Sequence, residues 1–340
     1  MRICFVQFFC FFSSIIFSDA SYQWMNEQID SDFKNITSIS QNDVFFEWLR
    51  IHDPNLRLYQ IMRGKVFGRH DKMYRFLQAI LEKYDLPDLV FLYATADIVR
   101  KESLDAWKIK VPIFCSAKAP LTDGKIIHFI DWYFDPKATN SGLISMIREI
   151  DFNRTSWESK KHMLFWRGGT TDCYGQGTYR ATLDSFPRGI LVQKSQNCPD
   201  LIDAKFNWLA NPALQNKFPT GTFVSIKDHL FYKYQIAMDG ETATYPGYQW
   251  RLYSGCVCLK QDSPDTMWFY GALIPWVHYV PVQRDLSDLE DVLHFLLQHD
   301  EEAKKIAENA FEFTKENLMP QHMLLYGYKV LVKYASVSTK

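Results

Sequence analysis

The residues best placed to do chemistry sit where hydrophobic strands run out into glycine. Met163-Leu164-Phe165-Trp166 leads into Arg167-Gly168-Gly169-Thr170-Thr171, with Arg180 further on. A second unit, Tyr232 to Met238, runs into Asp239-Gly240-Glu241-Thr242-Ala243-Thr244-Tyr245-Pro246-Gly247. Glycine lets the backbone approach a ligand closely, and free amides there meet negative charge. An arginine can then grip phosphate oxygens in bidentate fashion. Two such junctions in one half of an α/β chain suit a phosphate-bearing ligand. Arg167 keeps a second reading, as a strand-end arginine paired with an acid.

Junctions of this kind need a parallel sheet behind them. Strands are expected at 86–95, 111–115 and 126–134, and again at 162–166, 190–193, 232–238, 256–260 and 276–282. In the second group they alternate with helical segments, the βα pattern of a sheet covered on both faces. Residues 21–85 read as amphipathic helices and turns. The segment 137–160 turns polar and ends in Glu158-Ser159-Lys160-Lys161, a linker candidate. Ser287-Asp288-Leu289-Glu290 has capping-box spacing, followed by Leu289, Val292, Leu293, Leu296 and Leu297 on one helical face. A second helix starts at Asp300 and stops before Pro320, and a third covers 321–336. The expected division is 21–157, 158–318 and a C-terminal helix over 319–340.

Composition bounds the partners. The 340 residues are 47% hydrophobic and 23% charged, with net charge −1, which excludes a dedicated nucleic-acid binder. Ten Trp and 18 Tyr imply a large aromatic core, and also suit a sugar-binding cleft. Arg2, the apolar run Ile3 to Phe17 and Ser18-Asp19-Ala20-Ser21 have the order of a secretory signal peptide over 1–20. An uncleaved anchor, giving membrane association through the N-terminus, is its rival. Of seven cysteines, Cys4 and Cys10 lie in this segment. Cys115, Cys256 and Cys258 sit in apolar runs as buried thiols, Cys173 and Cys198 could pair, and no zinc spacing is present.

The order and spacing of several stretches carry a resemblance. They are Phe165-Trp166-Arg167-Gly168-Gly169, Asp228-His229, Lys233-Tyr234, Asp239-Gly240 and the run Ser254 to Ser263. Trp268-Phe269-Tyr270, Pro275 to Val282 and Asp285-Leu286 continue it. Together they resemble glycosyltransferase family ninety. That family comprises Rumi-like protein O-glucosyltransferases, fungal capsule xylosyltransferases and bacterial lipopolysaccharide-modifying relatives. The resemblance is strong over 160–318 and traceable over 25–160. It implies a GT-B fold, two Rossmann-like domains facing a cleft with closing C-terminal helices. It also implies a metal-independent inverting transferase with no cofactor, which moves a hexose or pentose from a UDP-sugar co-substrate. The acceptor would be a hydroxyl of a glycan, lipopolysaccharide or protein, in a secretory lumen or a bacterial envelope.

Inversion needs one ionised base within ~3 Å of the acceptor hydroxyl proton, and cationic or amide groups on the leaving diphosphate. The family's base follows a Leu-Pro-Asp turn and a hydrophobic strand. Here these are Leu86-Pro87-Asp88 and Leu89 to Thr95, so the matching acid is Asp97. Without the resemblance Asp97 reads as a helix N-cap or turn aspartate. Asp131 and Asp135, beside Trp132, are back-up carboxylates in an acceptor wall. On the donor side, Gly169 matches the small residue of the family's Arg-Gly-Ser turn and Arg180 its diphosphate arginine. Thr242, Ala243, Thr244 and Tyr245 fall on the second donor loop, after Gly240. The chain departs from the family there, because the loop arginine is missing. Arg251 replaces it only if it faces the cleft. A degenerate sugar-nucleotide or glycan-binding protein of the same fold, and a structural protein with no ligand, are the competing readings. His278 reads as structural. Lys260 to Ser263 could meet ribose or uracil, or Asp262 could cap a helix near Pro264.

Overall fold

The structure is a computed structural model, and it describes residues 22–140, 142–171, 186–209, 214, 217–243 and 246–339. The N-terminal half opens with α1 (Gln23–Phe33), β1 (Ile39–Ser40) and α2 (Gln41–Ile51). Ser40 caps α2, its hydroxyl accepting from the Asp43 amide. Next comes a hairpin where the sequence suggested only helices and turns: β2 (Leu56–Met62) and β3 (Lys65–Phe67), paired antiparallel. Arg63 and Gly64 make the turn, with φ of 50° and 70°. Hairpin turns of this hand usually start with Asn, Asp or Gly, so Arg63 hid the signal. The Asp88 carboxylate holds the turn, accepting from the Arg63 amide at 2.6 Å.

The half continues through α3 (Lys72–Leu81), β4 (Leu89–Ala94), β5 (Ile98–Val99) and α4 (Lys101–Trp107). It ends with β6 (Ile113–Cys115), β7 (Ala117–Lys118), β8 (Ile126–His128) and α5 (Gly142–Asn153). The main sheet runs β3-β2-β4-β6-β8, with β4, β6 and β8 parallel and β2 antiparallel to both neighbours. It is a parallel α/β sheet with an antiparallel edge.

The C-terminal half is built on a purely parallel sheet. Its first strand is β9 (Lys161–Gly169). Residues 190–193, expected as a strand, lie inside α6 (Pro187–Asn197). Pro187 in the first turn presets a helical φ and outweighs the β-prone Ile190-Leu191-Val192. The strand comes later, as β10 (Ile202–Trp208), followed by α7 (Ile226–His229), β11 (Tyr232–Ala237), α8 (Gly247–Tyr253), β12 (Val257–Gln261) and β13 (Thr266–Met267). Of the strand expected at 276–282, only β14 (Val280–Val282) forms, because Trp276 turns through φ 61°. The order is β10-β9-β11-β12-β14.

Three helices and a short strand close the chain: α9 (Leu289–Gln298), α10 (Asp300–Asn317), α11 (Pro320–Ser336) and β15 (Ser338–Thr339). The expected capping box at Ser287 is not formed. Asp288 is the N-cap residue without a side-chain cap, and its carboxylate accepts from the Gln283 amide instead.

Two features tie the halves into one α/β fold of GT-B type. A three-stranded seam, β13-β7-β5, joins β13 of the second half to two strands of the first. And α11 returns to the first half, burying Met323, Tyr326, Val330 and Tyr334 in the same core as Phe76, Phe91 and Phe114. Strand β15 then pairs in parallel with β1.

Candidate active site

In parallel sheets the carboxyl ends of the strands gather the loops that bind ligands. The seam brings loops from both halves together there. At the end of β4, the Thr95 amide and hydroxyl both donate to Asn55 O, at 2.7 and 3.1 Å. Asp97 lies two residues on, before β5. It caps no helix, since α4 starts after Arg100. Its carboxylate is half-buried and interacts electrostatically with Asp131, Tyr133 and Glu241. Burial pushes its pKa up; the Trp132 indole, which faces it without completing a hydrogen bond, opposes the rise.

The acceptor-wall residues separate into different roles. Asp131 is buried and accepts from the Tyr133 amide at 2.7 Å. Burial, with Asp97 adding repulsion, pushes it up to about 7. Asp135 is tethered: Arg75 binds it at 2.7 Å and the Lys137 amide donates to it at 3.0 Å. Burial works to raise its pKa, but the Arg75 bond prevails and holds it below the usual carboxylate range. The Trp132 ring lies tilted against Tyr133, centroids 3.8 Å apart, with Lys72 over both.

Where the donor was expected, the side chain that joins the strand ends is one the sequence reading missed. Arg188, from the first turn of α6, reaches the ends of β9 and β11. Its Nε donates to Asp239 O at 2.9 Å, Nη1 to Gly169 O and Thr171 Oγ1 at 2.9 Å each, and Nη2 to Met238 O at 3.1 Å. Reading 190–193 as a strand concealed it; Pro187-Arg188 as a helix start would have pointed to it. Gly240 leaves room for this group, since a Cβ there would lie 2.4 Å from Thr171 Oγ1 and 2.9 Å from Arg188 Nη2.

Other expected donor residues have different local reasons. Gly168 is required by the Trp166 ring, 2.4 Å from where its Cβ would be, and Gly169 by the Trp208 ring at 2.7 Å. Arg167 pairs with Asp203 at 2.9 Å and covers the Phe165 ring at 4.2 Å, so it has the acid partner that its second reading required. It stands apart from the Arg188 cluster. Thr242 is buried and donates to Asp265 at 3.0 Å; Ala243 is buried beside it. Lys260 is taken up by a buried pair with Asp239 at 2.8 Å. Asp262 precedes no helix and lies 3.8 Å from Arg284. His278 Nδ1 accepts from the Ile274 amide and its ring stacks on Phe313, a structural role. Arg180, Thr244, Tyr245, Cys173 and the segment 1–20 lie outside the described residues.

One further contact joins the two sets. Arg100, three residues after Asp97, donates to Glu241 O at 3.1 Å and pairs with the fully buried Asp265 at 3.1 Å. Asp265 also holds Thr242. The loop carrying Asp97 is thereby locked to the loop carrying Gly240 and Thr242. A carboxylate with a raised pKa thus sits beside strand ends lined by a guanidinium, an arrangement suited to taking a proton next to a bound anion. Among the described residues, no three His, Cys, Asp or Glu side chains cluster as a metal site.

Comparison with known proteins gives this site a context. The family profile described as Glycosyl transferase family 90 matches residues 22–340. Human Protein O-glucosyltransferase 3 is 28% identical over 91% of this chain and 61% of its own length. Zebrafish Protein O-glucosyltransferase 2 is 29% identical over 83% of this chain and 54% of its own. The chain therefore spans less than two thirds of either relative. A structure of Anabaena Alr3699/HepE in complex with UDP and glucose aligns over 70% of this chain and 68% of its own, at 10% identity and a TM-score of 0.41.

Proposed function

The chain belongs to glycosyl transferase family 90, and from that premise we propose that it moves a sugar of the glucose or xylose class from a UDP-sugar to a hydroxyl of a protein or glycan. The relatives named as protein O-glucosyltransferases favour glucose and a protein acceptor. Asp97 is the general base. It takes the proton from the acceptor hydroxyl as that oxygen attacks the anomeric carbon on the face opposite the diphosphate. The bond to UDP breaks as the new glycosidic bond forms, so configuration inverts. Arg188 and the backbone around Gly169 and Gly240 meet the charge on departing UDP, and the step needs no metal and no cofactor. The N-terminal segment read as a signal peptide favours a secretory lumen. Among the described residues, no helix is long and apolar enough to cross a membrane.

The observation that carries this reading is the Arg100 bridge, because it holds Asp97 against the donor loop. The test is UDP release from a panel of UDP-sugars, with and without chelator, for the wild type and Asp97→Asn. The variant should lose about 10²- to 10⁴-fold in turnover and bind UDP as before. Turnover within threefold of wild type would remove Asp97 from the role. A second reading, a degenerate sugar-nucleotide or glycan-binding protein, draws on glycine at 169 and on the missing loop arginine. UDP binding without turnover, acceptors included, would select it.

A further inference from the structure

A groove of about 550 Å³ lies open between α2 and the β2–β3 hairpin of the first half. Its walls are largely apolar: Trp48 and Leu49 from α2, Leu56 and Leu58 from β2, and Phe67 from β3. The helix register is the cause. α2 buries Val44 and Glu47, which leaves Phe45 and Leu49, one turn apart, on its flank. Across the groove, the ladder partners Gln60 and Phe67 lie side by side at the sheet edge. Phe45, Phe46, Leu49, Met62 and Phe67 are each 40% exposed or more. Exposed apolar side chains gathered in this way mark an interaction surface.

The charge on the groove is one-sided. Arg57, Arg69 and His52 line it against a single acid, Asp53, whose carboxylate already accepts from the Asn55 amide at 2.7 Å. Arg57 donates through Nη1 to Pro54 O, and its Nε is buried with no partner. A buried donor left unpaired favours an arriving acceptor group. The groove is also continuous with the Asp97 site. It begins where β2 begins, at Leu56, the ladder partner of Ala94. The preceding Asn55 carbonyl holds Thr95 by two bonds, two residues before Asp97. From Leu56 to Gln60 the strand runs roughly 13 Å, a length that about four residues of extended chain would cover.

Resting on the reading of a protein acceptor above, we propose that this groove docks the acceptor polypeptide. A segment of apolar and acidic residues, next to the hydroxyl that Asp97 serves, lies here with its apolar side chains against Leu49 and Phe67 and its carboxylates on Arg57 and Arg69. The concave shape, and its start at the strand end that carries the base, select a polypeptide over a membrane. The groove thereby helps to choose which proteins are modified, apart from the chemistry of transfer.

The experiment is fluorescence anisotropy with a labelled synthetic peptide in which Phe and Leu alternate with Glu around one Ser, and with its analogue carrying Lys for every Glu. Wild type should bind the acidic peptide, and Phe67→Glu and Arg69→Glu should each weaken it about 10-fold or more. Both side chains are exposed, so the variants should fold, and UDP affinity by calorimetry should stay within about twofold of wild type in each. A benzophenone in place of the Ser should cross-link wild type at residues 94–99. Failure of wild type to bind the acidic peptide, unchanged affinity in Phe67→Glu, equal binding of the Lys peptide, or cross-links elsewhere would each overturn the proposal. Pelleting with phosphatidylserine vesicles, abolished by Phe46→Glu, without peptide binding would make the face a membrane contact. A sedimenting dimer split by Phe67→Glu would give the groove to a second copy of the chain. Either result overturns the proposal as well. Peptide binding by a wild type that binds no UDP would instead overturn the transferase reading, and the acceptor role with it.

Discussion

Replacing Gly240 by alanine tests the donor cluster at its tightest point. The added methyl would sit 2.4 Å from Thr171 Oγ1 and 2.9 Å from Arg188 Nη2. Relief to an ordinary contact takes a displacement of roughly 1 Å for the hydroxyl and about half that for the guanidinium. Neither group moves freely. Thr171 is a short side chain, and Arg188 is held by bonds to Gly169, Thr171, Met238 and Asp239. Overpacking of this kind costs about 1–3 kcal/mol of stability. The larger effect falls on function, because about 1 Å of misplacement in a binding constellation can cost ~10²-fold. Gly240 has an ordinary φ, so backbone strain plays no part. We expect UDP affinity to fall by at least 10-fold and turnover by about 10²-fold. Gly64→Ala is the control. Its φ of 70° makes alanine strained, and nothing lies within 4 Å of the added methyl. It should lower stability by about 1 kcal/mol and leave UDP binding alone. UDP affinity within twofold of wild type in Gly240→Ala, measured by calorimetry, would refute the placement of the donor site.

Two further expectations concern the groups behind Asp97. Asp131, at about 7, binds its proton more tightly in the folded protein than in the unfolded chain. Its contribution to stability is therefore full below the unfolded carboxylate pKa and is lost as pH rises toward and through 7. Urea titrations from pH 4 to 8 should show wild type losing stability, on the order of a few kcal/mol, relative to Asp131→Asn. Parallel curves would contradict the burial argument. Arg100→Met leaves fully buried Asp265 with Thr242 as its remaining named partner. It should destabilise by about 3 kcal/mol and slow turnover, and adding Asp265→Asn should recover part of the stability; a loss under ~1 kcal/mol would show that the bridge is weak.

Of the C-terminal sheet, β9, β11 and β12 were legible because they are apolar runs bounded by glycine or charge, whereas β10, with its alternating polar residues, was not. The β11–β12 region and the long helices α10 and α11 follow directly from periodicity. Misreadings arose where a local rule was overridden. Arg63 disguised a hairpin turn, and Ile190-Leu191-Val192 looked like a strand although Pro187 had already started a helix. That one error hid Arg188. The Asp97 loop was reached through resemblance, since no periodicity marks a lone aspartate after a strand. The Arg100–Asp265 pair spans 165 residues of sequence, a distance at which spacing carries no signal. Gly168 and Gly169 sit where phosphate chemistry would put them, yet indole rings explain them locally.

The return of α11 to the first half has a consequence for how the molecule is made. Synthesis delivers the N-terminal half first, but the core around Phe91 and Phe114 includes Tyr334, and Ile39 pairs with Ser338. The half that emerges first is therefore the last to be finished. Until α11 and β15 have been made, its apolar surface stays partly uncovered and open to aggregation. Removal of α11 would leave every strand of the C-terminal sheet in place and still uncover the core of the first half. The half that carries Asp97 is thus completed by a segment that follows the entire C-terminal sheet.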